Sequence, residues 1–184
     1  MNAAALAGTT ETAVLVLVPE AEAAVAEHRA HLDMAASWGV PAHLSVVYPF
    51  VPPADVDGAV LARLAAAVGT VPAFDCAFSR TDWFGDDVVW LAPEPDAPFR
   101  ELVRAVVAAF PEHLPYGGLY EDPTPHLTVG ELRLGSAAEL AAAERAVHEH
   151  LPIRAQIDRA VLLAGRPERG AWHPVAEFPL GATG

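Results

Sequence analysis

Two short segments carry the side chains best suited to chemistry. Pro41-Ala42-His43-Leu44-Ser45-Val46 has a near copy 83 residues later, Thr124-Pro125-His126-Leu127-Thr128-Val129. Aliphatic and β-branched residues follow each histidine (Val46-Val47 in the first copy; Val129 and then Leu132 in the second), which predicts a strand at both places. Side chains alternate between the two faces of a strand. His43 and Ser45 therefore share one face, with Leu44 and Val46 on the opposite, core-facing side; His126 and Thr128 stand in the same relation to Leu127 and Val129. Each copy sets an imidazole, which can take or give a proton near neutrality, beside a hydroxyl that can donate a hydrogen bond. Random placement of the 8 His and 12 Ser or Thr residues among 184 would give about 0.5 pairs with this spacing. Two are found, and they also share the central Leu, the trailing Val and a neighbouring Pro. The plain alternative, two ordinary strands each with a hydrogen-bonded histidine, leaves that repetition without a cause.

The segment His43-Leu44-Ser45-Val46-Val47-Tyr48-Pro49-Phe50 closely resembles the first motif of the 2H phosphoesterases, the superfamily that includes the 2′-5′ RNA ligase-like proteins and the cyclic nucleotide phosphodiesterases. Pro125-His126-Leu127-Thr128-Val129-Gly130 resembles the second motif, and the likeness spans roughly residues 13 to 180. The resemblance implies an α+β fold: two similar lobes of mostly antiparallel sheet with flanking helices, the histidine strands facing each other across a central cleft. It also implies a metal-independent phosphodiesterase with no cofactor. His43 and His126 would be the catalytic pair, one taking a proton from the attacking water or hydroxyl and the other giving one to the leaving oxygen. Ser45 and Thr128 would bind the non-bridging phosphate oxygens and stabilise the charge that builds there. The expected substrate is the 2′,3′-cyclic phosphate of a nucleotide or short RNA end, with reversible 2′-5′ ligation as a related reaction. The motifs leave open which histidine is acid and which is base, since the roles exchange when the reaction reverses. A non-catalytic module that binds a phosphorylated small molecule or RNA end is the alternative. The intact histidine–hydroxyl pairs argue against it, because a pure binder would more naturally use Arg. A transferase acting on another phosphorylated metabolite is a further alternative, since fold does not fix function.

The elements that must position these segments follow from patterning. Ala13-Val14-Leu15-Val16-Leu17-Val18 is a continuous apolar run closed by Pro19 and reads as a buried strand. Residues 20–36 are Ala-rich with acidic residues early, which predicts a helix whose His28 and His31 lie on a solvated face. A second helix is expected over 55–68, started by Ala54 or Asp55 and ended by Gly69. A hairpin follows, residues 74–82 against 88–92, and then a helix over 96–110 with Asp96 as N-cap. Residues 111–125 read as a long loop delivering the second histidine strand. Ser136 with Glu139 forms a capping box for a helix over 136–151. Strands at 153–164 and 172–178 complete a βαβ-αββ-αβ-αββ order. A loosely ordered N-terminus over 1–12 and a single bilobal domain over 13–181 are expected.

Composition bounds the partners. A content of 53% hydrophobic and 19% charged residues fits a globular chain with a sizeable core. The formal charge is −13 and all 11 basic residues are Arg, which disfavours a long duplex nucleic acid, whose affinity rests on Lys and Arg contacts to phosphate. A small cyclic nucleotide or short RNA end fits better. The single Cys76, in an apolar strand-like run, reads as core filler and suits a reducing compartment. No basic n-region precedes an apolar stretch, and no apolar run reaches about 18 residues, so no signal peptide, membrane partner or membrane span is expected, and the cytoplasm is the default location. A nucleobase needs a stacking surface. Phe50, Tyr120 and Trp172, with Trp83 and Phe84, are the aromatic candidates on or near loops, and Arg166, with Arg169, could bring positive charge to the cleft mouth.

Overall fold

The apolar run near the N-terminus is continuous because its strand is covered on both faces. In the computed structural model, which describes residues 3–182, β1 (Glu11–Leu17) sends Val14 and Val16 into the main core. Its Ala13, Leu15 and Leu17 face a second, smaller apolar cluster. β1 pairs with β2 (His43–Val47) on one side and β7 (Arg159–Gly165) on the other, and β7 pairs with β8 (His173–Pro179). The order is β2-β1-β7-β8. The second sheet contains β3 (Phe74–Phe84), β4 (Val88–Glu94), β5 (Leu127–Glu131) and β6 (Ile153–Ile157) in the order β5-β4-β3-β6. All pairings between these strands are antiparallel. Each histidine strand is thus the outermost strand of its own four-stranded sheet, and the two strands lie against each other where the sheets meet. The α+β fold of two antiparallel lobes is as expected.

The helices tie the lobes together by exchange. α1 (Glu22–Leu32) follows a strand of the first sheet but packs on β5 of the second, and α4 (Ala97–Ala109) follows a strand of the second sheet but packs on β2 of the first. Gly130 makes the first contact possible, since a Cβ there would lie 2.9 Å from Leu32 Cβ. α3 (Gly58–Val68) packs on α4, and α5 (Ala137–His148) on α1 and β5. One core runs through both sheets, and in it Leu44 of β2 and Leu127 of β5 are 2% and 0% exposed. Burying each leucine is worth about 1.5–3 kcal/mol. A one-residue slip would expose them and turn the histidines inward, so their burial fixes which face the imidazoles take.

Several boundaries differ from expectation. The strand expected over 153–164 is two strands in different sheets. β6 alternates buried and exposed residues, β7 is buried at every position after Arg159, and the chain crosses between sheets at Asp158. The element order is therefore βαβ-αββ-αβ-αβββ if the short helix after α1 is counted with it. The helix expected over 20–36 breaks at Asp33, whose extended backbone (φ −130°) and carboxylate, accepting from Ala35 N at 2.9 Å, start a new short helix, α2 (Met34–Ser37). Asp57, not Ala54 or Asp55, caps α3 by accepting from Val60 N at 2.9 Å. Asp96 takes the N-cap position of α4 as expected, but its carboxylate makes no capping hydrogen bond and accepts from Arg100 Nε at 2.8 Å instead. The capping box of Ser136 and Glu139 forms as expected. Within the segment expected to be loosely ordered, Ala3–Leu6 forms a 3-10 turn, Leu6 packs on the core and β1 already begins at Glu11; Met1 and Asn2 lie outside the described residues.

Candidate active site

Each histidine is fixed by the same local device. His43 Nδ1 lies 2.7 Å from the Pro41 carbonyl oxygen, and His126 Nδ1 lies 2.8 Å from that of Thr124. A carbonyl oxygen only accepts, so in both rings Nδ1–H is the donor and Nε2 is left free for proton transfer. The acceptor is in each case the residue two positions upstream, which makes the hydrogen bond a product of the repeated segment itself.

His43, Ser45 and Thr128 line one cavity of about 280 Å³, together with Trp38, Tyr48 and Trp172. His126 lines an adjoining cavity of about 560 Å³ with Phe84 and Tyr120. Tyr116 lines both, so the two cavities share a wall. Three of the four expected catalytic and phosphate-binding side chains thus share a cavity, and the fourth opens into its neighbour. Tyr116, on the loop before β5, is the one non-glycine residue with positive φ (53°) among the described residues. Such backbone costs of order 1–3 kcal/mol and persists where surrounding contacts hold it. Here Tyr116 N donates to Tyr48 O at 2.7 Å, while burial raises the pKa of its phenol, with the Ser45 hydroxyl opposing.

The walls of the two cavities differ. On the His43 side Trp38 stacks on Trp172 (centroids 6.3 Å apart, planes 11° apart), and Tyr48 meets Trp172 edge-on at 5.9 Å. Trp172 comes this close because position 165 is glycine, where a Cβ would lie 2.4 Å from the indole. On the other side the rings of Phe84 and Trp90 meet that of His126 edge-on at 4.9 and 5.9 Å.

The electrostatics differ as well. Burial, the Arg29 charge and, to a smaller degree, His126 depress His43 from an ordinary 6.5 to about 3, against the opposing Pro41 hydrogen bond. His126 is also depressed by burial, but the Thr124 carbonyl and the Asp33 carboxylate pull it back up. Arg29 and Asp33 form a buried pair, 2% and 3% exposed, with Arg29 Nε donating to Asp33 Oδ2 at 2.8 Å. Arg29 Nη2 donates to Val40 O at 3.3 Å and lies 3.5 Å from His43 Nδ1. Because Nδ1–H points to Pro41, that last contact sets a cation beside the imidazole and does not add a hydrogen bond.

The other expected site residues divide. Trp172 and Tyr120 line the two cavities, Trp172 only 5% and Tyr120 62% exposed. Phe50 lines neither. The chain turns inward after β2, Phe50 N donates to Thr12 O at 2.9 Å, and the ring packs edge-on against Phe110 in the core. Arg166 also lines neither, being paired with Glu168 and donating to Gly8 O at 3.1 Å. Trp83 is held by Glu144, to which its Nε1 donates at 2.9 Å. Cys76 is buried, and its thiol is pushed up to about 12, first by burial, which suits core filler. Among the described residues no group of three or more His, Cys, Asp or Glu side chains could hold a metal ion, and no helix is long and apolar enough to cross a membrane. Sequence reasoning missed Arg29, Asp33, Trp38 and Tyr116. The four-residue spacing of Arg29 and Asp33 was visible, but on an Ala-rich helix such a pair reads as solvated surface.

Residues 17–168 match the family model of the 2′-5′ RNA ligase superfamily. No curated protein matches the chain significantly. Among solved structures, apo LigT of E. coli superposes with a TM-score of 0.59 at 18% identity, over 94% of this chain and 98% of that one. E. coli LigT complexed with 3′-AMP gives 0.56 at 16% over the same shares. TT0787 of Thermus thermophilus gives 0.61 at 17%, over 95% of this chain and all of that one. At these identities the likeness is one of fold. The family match covers most of the chain and contains both histidine motifs within their separate lobes: the protein belongs to the 2′-5′ RNA ligase superfamily.

Proposed function

We propose that the protein is a phosphodiesterase that opens the 2′,3′-cyclic phosphate of a nucleotide or short RNA end by paired-histidine acid–base catalysis, with reversible 2′-5′ ligation as the parallel reaction in which a 5′-hydroxyl takes the place of water. The observation that carries this is the matched pair of imidazoles, each locked by an Nδ1–H bond to a carbonyl two residues upstream, with Nε2 left for proton transfer, in two cavities that share the Tyr116 wall. One Nε2 removes a proton from water as its oxygen bonds to phosphorus. The P–O3′ bond breaks, the other imidazole delivers its proton to O3′, and a 2′-phosphate results. Hydroxyl groups of Ser45 and Thr128 hold the non-bridging oxygens and stabilise the charge they gain. The structure of E. coli LigT with 3′-AMP supports a nucleotide-sized ligand in this fold, and the −13 charge favours a short ligand over a long duplex.

The test is turnover of 2′,3′-cyclic nucleotides with products identified by phosphorus NMR. His43→Ala and His126→Ala should each lower kcat by about 10²–10⁴ and keep the circular dichroism of the parent. Full activity in either variant would sink the proposal.

A further inference from the structure

The repeat makes His43 and His126 equivalent in sequence and in their Nδ1 hydrogen bonds. Their surroundings are not equivalent. The Arg29–Asp33 pair lies at the junction of α1 and α2, with its cationic end 3.5 Å from His43 Nδ1. Its anionic end acts on His126. A buried ion pair contributes little net stability, because the loss of hydration offsets the attraction. The pair also ties the α1–α2 junction, with Asp33 accepting from Ala35 N and Arg29 donating to Val40 O.

His43 is faced by Arg29 from α1, by His126 just before β5 and by the Pro41 carbonyl. Its cavity also holds Asp33, Glu131 and Arg133, of which the last two pair with each other. His126 is faced by Asp33 and the Thr124 carbonyl, and its cavity is lined by Asp87 and Asp122 with no basic residue. Asp122 is paired with Arg100 at 2.7 Å.

We infer that the buried Arg29–Asp33 pair is a positioning device that makes the two histidines inequivalent, holding His43 neutral as the general base and favouring the proton on His126 as the general acid. This rests on the proposed phosphodiesterase function. It adds a direction to the cleft. Water approaches phosphorus from the His43 side and gives its proton to His43 Nε2. The P–O3′ bond breaks toward His126, which protonates O3′. The opened ribose then lies in the larger cavity, beside Phe84 and Tyr120.

Long-range proton–nitrogen NMR of the intact protein reads the protonation of each imidazole without substrate. His126 should titrate above His43, and the reverse order would overturn the inference. In the charge-neutral double variant Arg29→Met/Asp33→Asn the gap should shrink, and the acid limb of kcat/KM should move up by about one pH unit. Loss of activity at all pH values with both limbs in place would mean a merely structural role and would overturn it too. Arg29→Lys keeps the charge and should keep the gap, so it decides the matter if the double variant does not fold; a lost gap there counts against the inference. Turnover surviving in His43→Ala or His126→Ala would defeat the phosphodiesterase proposal instead, whatever the titrations give.

Discussion

His43 should make the protein sensitive to acid by an amount that can be isolated. Its folded pKa of about 3 lies below the ordinary 6.5 that it regains on unfolding. Between those values the unfolded chain binds more protons, so stability rises with pH, and the contribution of the neutral ring is lost as pH falls from 6.5 toward 3. From pH 7 to pH 4 the two states differ by up to about 2.5 pH units of binding, which at 1.36 kcal/mol per unit is roughly 3 kcal/mol. The ring is only half-buried and faces an open cleft, so about 2 kcal/mol is the working figure. That is a large share of the 5–15 kcal/mol by which a domain of this kind is typically stable. The assay is urea unfolding of the parent and of His43→Gln at pH 7 and at pH 4. Every other titrating group is common to both proteins, so the difference between their two losses belongs to His43. The parent should lose about 2 kcal/mol more than the variant. Equal losses would show that His43 is not held neutral by its surroundings, and the account of the cleft's electrostatics would fail.

Other outcomes follow from the same geometry. The profile of kcat/KM against pH should be bell-shaped, with its alkaline limb below 6.5, because both imidazoles lie below that value in the free protein; a steady rise through pH 8 would contradict it. Thr128→Val and Ser45→Ala each remove a phosphate donor and should each lower kcat by about 10²–10³ with little change in unfolding midpoint, as steady-state kinetics will show. Gly165→Ala places a methyl group 2.4 Å from the Trp172 indole. It should cost about 1–3 kcal/mol in thermal unfolding and perturb the tryptophan fluorescence.

What the sequence by itself determined is what local geometry determines. Alternation along a strand put His43 with Ser45, and His126 with Thr128, on common faces, because successive Cβ atoms point to opposite sides wherever the strand lies. The capping box of Ser136 and Glu139 was readable for the same reason, since all its partners lie within one helical turn. Tertiary structure alone decided the rest. Asp33 ends α1, and Arg29 is buried beside His43, because α1 is clamped onto a strand about 100 residues away, where Gly130 admits Leu32. Phe50 left the site and Tyr116 entered it because of where the Thr12 and Tyr48 carbonyls stand. The run from Ile153 to Ala164 divides between two sheets because β3 offers one edge and β1 the other. A pair of equal motifs can be read from order along the chain. Which of the two holds its proton depends on charges that only packing brings near.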